Sequence, residues 1–264
     1  MTHELPPAGR PPGVLDLLES TDEHPLDPAW RADALGRSRH SRLADEVRNR
    51  VDDSDPGRAE LVCARIAREA LGDYAPALIL LSKERRRRAQ ALAAWTATLF
   101  DLALRPGLAG LDGDRLAQIN AWEFQTEEAL EGDPPGQPVF VMLARVGEGE
   151  PWPREALDRI VAAARRVAMS GGDVDADTAE AIVEALCGTG SAAPEIREAL
   201  VPLVEAALSS KLDVSSVDLT FAPLGWRHAA GYVRRVCELH FAGERQLGVK
   251  RRLALLAASV LRPR

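Results

Sequence analysis

Aromatic residues make up only 5% of these 264 residues, and cysteine occurs three times. Cys63, Cys187 and Cys237 are isolated and odd in number, and each sits within an apolar helical pattern. Neither a CxxC pair nor a His/Cys spacing suited to zinc occurs. The thiols therefore read as buried and reduced, as in a cytoplasmic compartment. No apolar run approaches the ~20 residues that a membrane span needs. Glu4 and several prolines stand where a secretory signal would carry its apolar segment. β-Branched runs with period-two alternation are nearly absent, which removes strand-rich folds. Serine-hydrolase, zinc-peptidase and phosphate-loop motifs are missing too. Gly188–Gly190 with Ser191 is too short for a phosphate loop and reads as a helix break. What remains is an all-α chain, expected in the cytoplasm, with no ready-made catalytic signature.

Helix formers dominate, and charged residues reach 28% with a net charge of −7. That balance argues against general nucleic-acid binding, which needs a net basic face. The basic residues are clustered at Arg85–Arg88, Arg165–Arg166, Arg234–Arg235 and Lys250–Arg252. Such clusters are solvated helix faces or, on a sharper reading, an anion or acidic-lipid patch allowing peripheral membrane contact.

Residues 1–27 are proline-rich and charged and read as a disordered tail. Residues 28–57 read as a polar helix, opened by Pro28, followed by a turn at Asp52–Gly57. From residue 58 to 264, Gly, Pro and Asp punctuation separates one helical domain into a series of elements. The expected helices cover about 58–71, 74–81, 83–104, 114–131, 138–146, 153–169, 175–187, 194–209, 226–242 and 247–261. Residues 210–225 are the least helical stretch.

The most informative segment is Ser82–Gly107. Ala89, Leu92, Ala93, Thr96, Leu99, Phe100, Ala103 and Leu104 follow the rhythm of one helical face. Ser82 is placed to cap the start, and Pro106–Gly107 to stop the helix. Elsewhere, Glu123, Glu127 and Glu131 stand at four-residue steps, as on an acidic surface or at a relocated metal site. Asp173, Asp175 and Asp177 read as helix N-terminal acids that complement the macrodipole. His228 and His240 lie on one predicted helix with Trp226 and Tyr232, where an imidazole could serve as a base.

Several segments carry a family likeness. Leu80–Leu81–Ser82–Lys83–Glu84–Arg85–Arg86 with Ala91–Leu92, then Ile119–Trp122–Glu123, Glu128–Gly132, Pro138–Phe140, Trp152–Leu157 and Arg251–Leu256, resemble the squalene/phytoene synthase family. The likeness spans about half the chain and implies an isoprenoid-synthase-type helical bundle. The family grips the diphosphate of a prenyl donor through Mg²⁺ held between two Asp-rich helical motifs, because a hard cation takes carboxylate oxygens and stabilises the leaving group.

This chain departs from that pattern. At the first motif it offers Phe100, Asp101 and Leu104, so one carboxylate stands where three belong. At the second, Asp213 and Asp218 are the candidates, at a spacing unsuited to one helix face. Asp73–Tyr74 replaces a Ser-Phe element.

The leading expectation is a diverged relative without Mg²⁺-dependent condensation that binds an apolar, isoprenoid-like ligand or a protein partner. No cofactor is expected. Its ligand-contacting candidates are Arg85, Arg86, Trp95, Phe100 and Tyr232. One alternative is a prenyl-diphosphate transferase with moved metal ligands, using Mg²⁺ with Asp101, Asp213, Asp218 and His228 in the catalytic roles. A second alternative is a helical adaptor docking through Arg85–Arg88 and its polar N-terminal helix.

Overall fold

The computed structural model describes residues 56–104, 112–170, 175–188, 194–209, 223–244 and 246–261. All belong to the unit Leu43–Arg264. The tail and polar helix expected before residue 56, the stop at Pro106–Gly107, and both Asp213 and Asp218 lie outside the described residues.

The described residues form helices and no strand: α1 (Pro56–Leu71), a 3₁₀ helix (Gly72–Leu80), α2 (Lys83–Leu104), α3 (Asp112–Glu131), α4 (Pro138–Gly149), α5 (Arg154–Ser170), α6 (Ala176–Cys187), α7 (Pro194–Ser209), α8 (Leu224–Phe241) and α9 (Val249–Leu261). The all-α expectation holds. Ser82 does cap α2, its Oγ accepting from Arg85 N at 3.4 Å. Asp175 caps α6 by accepting from Thr178 N at 3.0 Å, as its place at a helix start implies. Gly188 ends α6 with φ +71°, and a Cβ there would run into the Glu150 carboxylate.

Two expectations are corrected. Pro56 and Gly57, expected in a turn, open α1, because proline fits a first helical turn where its missing N–H is not needed. The helix expected at 74–81 is a 3₁₀ helix with Pro76 inside it. Proline cannot donate to the regular i→i−4 ladder, and the tighter winding tolerates this over a short span.

α2 is the central element. It packs against α1, α3, α4, α5, α6 and the 3₁₀ helix, and buries Ala91, Leu92, Ala94, Trp95, Leu99 and Leu102 among others. Two apolar clusters result. The first gathers α1 through α6 around Trp95, Leu99, Phe140, Leu143 and Ile160. The second gathers the 3₁₀ helix, α7, α8 and the ends of α2 and α6 around Leu203, Trp226, Tyr232 and Val236. Complete burial of a side chain the size of leucine or phenylalanine contributes about 1.5–3 kcal/mol, so these clusters hold the helices in place. α9 packs on α8 and the 3₁₀ helix.

Candidate functional site

Arg85–Arg88 occupy one turn of α2, and successive residues turn by about 100°, so four neighbouring guanidiniums leave the helix in four directions. Each meets a different part of the protein. Arg85 lies over the Trp226 ring at 5.1 Å. Arg86 donates through Nε to Leu78 O at 3.0 Å, and through Nη2 to Ile79 O and Leu81 O at 3.1 and 3.2 Å. It thereby covers carbonyls at the end of the 3₁₀ helix, sharing Leu78 O with the Leu81 amide. Arg87 forms a two-pronged pair with Glu60 of α1, at 2.9 and 2.7 Å.

Arg88 is only 3% exposed. Its Nε donates to Ala185 O at 2.9 Å, Nη1 to Glu150 O at 2.8 Å and Nη2 to Pro151 O at 3.3 Å. The guanidinium lies 4.0 Å from the centre of the Trp152 ring. Burial pushes its pKa down, and the nearby Glu150 carboxylate opposes that shift. The sequence cluster is thus an internal fastener joining α2 to α1, the 3₁₀ helix, the end of α6 and α8. Arg85 and Arg86, named above as ligand contacts, are occupied within the fold.

The apolar faces of α2 and α5 meet along a seam. It is filled. Trp95, Leu99, Ile160 and Ala164 are each 0% exposed, and a void able to admit water would leave them accessible surface. Trp95 also spends its one donor on Thr126 Oγ1 at 2.9 Å. Phe100 is half-buried against the same cluster. Tyr232 is fully buried and donates to Asp73 O at 2.9 Å. Trp95 and Tyr232, expected to touch a ligand, therefore have no surface with which to do so. Periodicity marks an apolar face; it does not say whether that face meets a ligand or another helix.

A polar knot that the sequence reading missed gathers around Asp73. Its Oδ2 accepts from Leu247 N at 2.9 Å and lies 3.2 Å from His240 Nε2, while Oδ1 lies 3.4 Å from Arg252 Nε. His240 Nδ1 lies 3.1 Å from Tyr74 Oη, and Cys237 Sγ donates to that oxygen at 3.8 Å. One proton assignment satisfies every group: Nε2–H donates to Asp73 and Tyr74 O–H donates to Nδ1. Burial pushes the Tyr74 phenol above its ordinary pKa and the Tyr232 phenol up to about 12. Two polar residues in an otherwise apolar 3₁₀ segment were the available signal for this knot. His228, half-buried in the first turns of α8, takes no part in its hydrogen bonds.

Outside the core, Gly57, Glu60, Leu61, Ala64, Arg86 and Gln90 line an open groove of about 650 Å³ between α1 and α2. Asp101 is half-buried on α2. Glu123 is paired with Arg165 of α5, which also donates to Asn120 Oδ1. Among the described residues no three His, Cys, Asp or Glu side chains group closely enough to hold a metal ion. Nor does any described helix have the length and apolarity to cross a membrane. All three cysteines are buried free thiols, and burial pushes Cys63 up to about 12 and Cys187 up to about 11. No family model, curated protein or solved structure matches the chain.

Proposed function

We propose that this protein is a helical binding module, a diverged relative of squalene/phytoene synthases, that works through its outer surface and does not condense prenyl diphosphates. The observation that carries this reading is the filled seam between α2 and α5. A prenyl-chain synthase needs room between helices for a long apolar substrate, yet Trp95, Leu99, Ile160 and Ala164 leave none at that seam. The internal use of Arg85–Arg88 supports the same reading, since guanidiniums bound to carbonyls, Glu60 and aromatic rings would have to break those contacts to hold a diphosphate.

Thermal unfolding with farnesyl diphosphate, with and without MgCl₂, tests it together with a turnover assay. A ligand bound only by the folded state at a hundredfold excess over Kd stabilises by roughly 2.7 kcal/mol. The expected result is no shift and no turnover. A Mg²⁺-dependent shift that vanishes in Asp101→Ala would instead establish the transferase with moved ligands.

A further inference from the structure

We propose that α9 is a docking face for an anionic lipid bilayer; this rests on the reading that the protein acts through its surface, and names the surface it meets. α9 carries apolar residues on two sides, and Leu255 and Leu256 pack against the second cluster. Its body-facing side carries Arg252, drawn to Asp73, and Ser259, buried and accepting from Arg235 Nη1 at 2.6 Å. Its opposite side carries Val249, Leu253 and Val260, exposed to 68, 60 and 45%, with exposed Ala254 and Ala257 between them. Steps of four and seven residues align the three large side chains in one stripe. Phe241, exposed at the end of α8, precedes the connection into this helix. Single exposed apolar side chains need no explanation, but an aligned set marks a contact surface.

Charge identifies the partner. Between Leu224 and Leu261 the chain has seven Lys or Arg against two Asp or Glu, within a molecule of net charge −7. α9 contains no acidic residue, and Lys250 and Arg251 are exposed in its first turn. A helix lying in the headgroup region requires this combination, with apolar side chains reaching the acyl boundary and cations meeting lipid phosphate. A second copy of the chain fits less well. α9 has 13 residues and is therefore roughly 20 Å long, short for the ~800 Å² per partner of a stable interface.

Cosedimentation of the full chain with sucrose-loaded vesicles tests the proposal. The chain should pellet with equimolar phosphatidylglycerol and phosphatidylcholine, stay in the supernatant with phosphatidylcholine alone, and be released by high salt. Leu253→Glu and, independently, Val260→Glu should each weaken binding at least tenfold with unchanged circular dichroism and Tm. Removing Lys250 or Arg251 should cost about fivefold per charge. Leu61→Glu, at an exposed apolar site on α1, should bind as the parent does. Failure to pellet with anionic vesicles overturns the proposal, as does unchanged binding by both stripe variants. A dimer in light scattering that Leu253→Glu dissolves, or an acidic protein partner captured by this face without vesicle binding, overturns it as well. These failures are separate from turnover of farnesyl diphosphate, which would overturn the surface-binding reading and leave the vesicle result standing.

Discussion

Arg85–Arg88 and Lys250–Arg252 look alike as text, each a short basic run at the start of a long helix, yet the fold uses them in opposite ways. In α2 the run is drawn inward, and its four guanidiniums find an aromatic ring, backbone carbonyls and a carboxylate. In α9 only Arg252 turns inward, to Asp73 and Leu247 O, while Lys250 and Arg251 stay exposed, Arg251 at 3.6 Å from the Glu244 carboxylate. What differs is the number of neighbours. α2 is surrounded by helices on most sides, so nearly every direction holds a partner; α9 rests on the body along one side. A basic cluster is therefore a fastener or a surface according to where its helix lies, and composition does not distinguish the two.

Removing Arg88 breaks this contrast most severely. Its three carbonyl partners would lose this donor, Ala185 O at a buried contact and Glu150 O and Pro151 O at part-buried ones, and a buried group left unpaired costs about 1–3 kcal/mol. Arg88→Met should therefore lower unfolding stability by about 3 kcal/mol or more, read as a fall in the urea midpoint at unchanged slope. Arg88→Lys should recover little, because an ammonium cannot reach three carbonyls in a plane or lie flat on the Trp152 ring. Replacing Lys250 and Arg251 by serine should move the midpoint by less than about 0.5 kcal/mol, as for ordinary surface positions. Equal effects at the two runs would sink the distinction.

Asp73 sharpens it at an intermediate size. The carboxylate ties the 3₁₀ helix to His240 of α8, Arg252 of α9 and the Leu247 amide between them. Asp73→Asn keeps the shape but loses the charge that Arg252 and the imidazole face, and its NH₂ group cannot accept. A loss of about 1–3 kcal/mol is expected. Hydrogen exchange should quicken in α9 before it does in α2, since α9 has this knot and the Arg235–Ser259 bond as its polar ties to the body.

How far the sequence reveals these differences depends on the range of the interaction. The bounds of α2 were legible because they are local: Ser82 caps, and apolar residues recur at helical spacing. The 3₁₀ winding was not, because Pro76 removes one donor without stating which helix replaces the regular one. The site was harder. Arg88 meets Ala185 across 97 positions and His240 meets Asp73 across 167, and no period in the chain encodes such pairings. Trp95 and Tyr232 were legible as members of apolar faces, but only the packed structure shows that helices, not a chamber, cover them. The sequence marks α9 as a helix but not which of its apolar residues face inward: Leu255 and Leu256 pack on the body, while Val249, Leu253 and Val260 face solvent.

The smallest expected effect lies at the rim of the same arginine run. Arg87 and Glu60 are paired through two hydrogen bonds, but their side chains are 35 and 31% exposed, so water screens much of the attraction. A double-mutant cycle with Arg87→Met and Glu60→Gln should give a coupling of about 0.5–1 kcal/mol. Its pH dependence has a definite sign. The hydrogen bond from Arg87 holds the Glu60 carboxyl below its usual 4.5, against an opposing contribution from burial. The folded chain thus binds this proton less readily than the unfolded chain does, and the coupling is present in full above pH 4.5. It should fade as pH falls through the lowered folded value, and weaken in high salt. A coupling that instead grew on acidification would mean that the neutral carboxyl, and not the ion pair, joins α1 to α2.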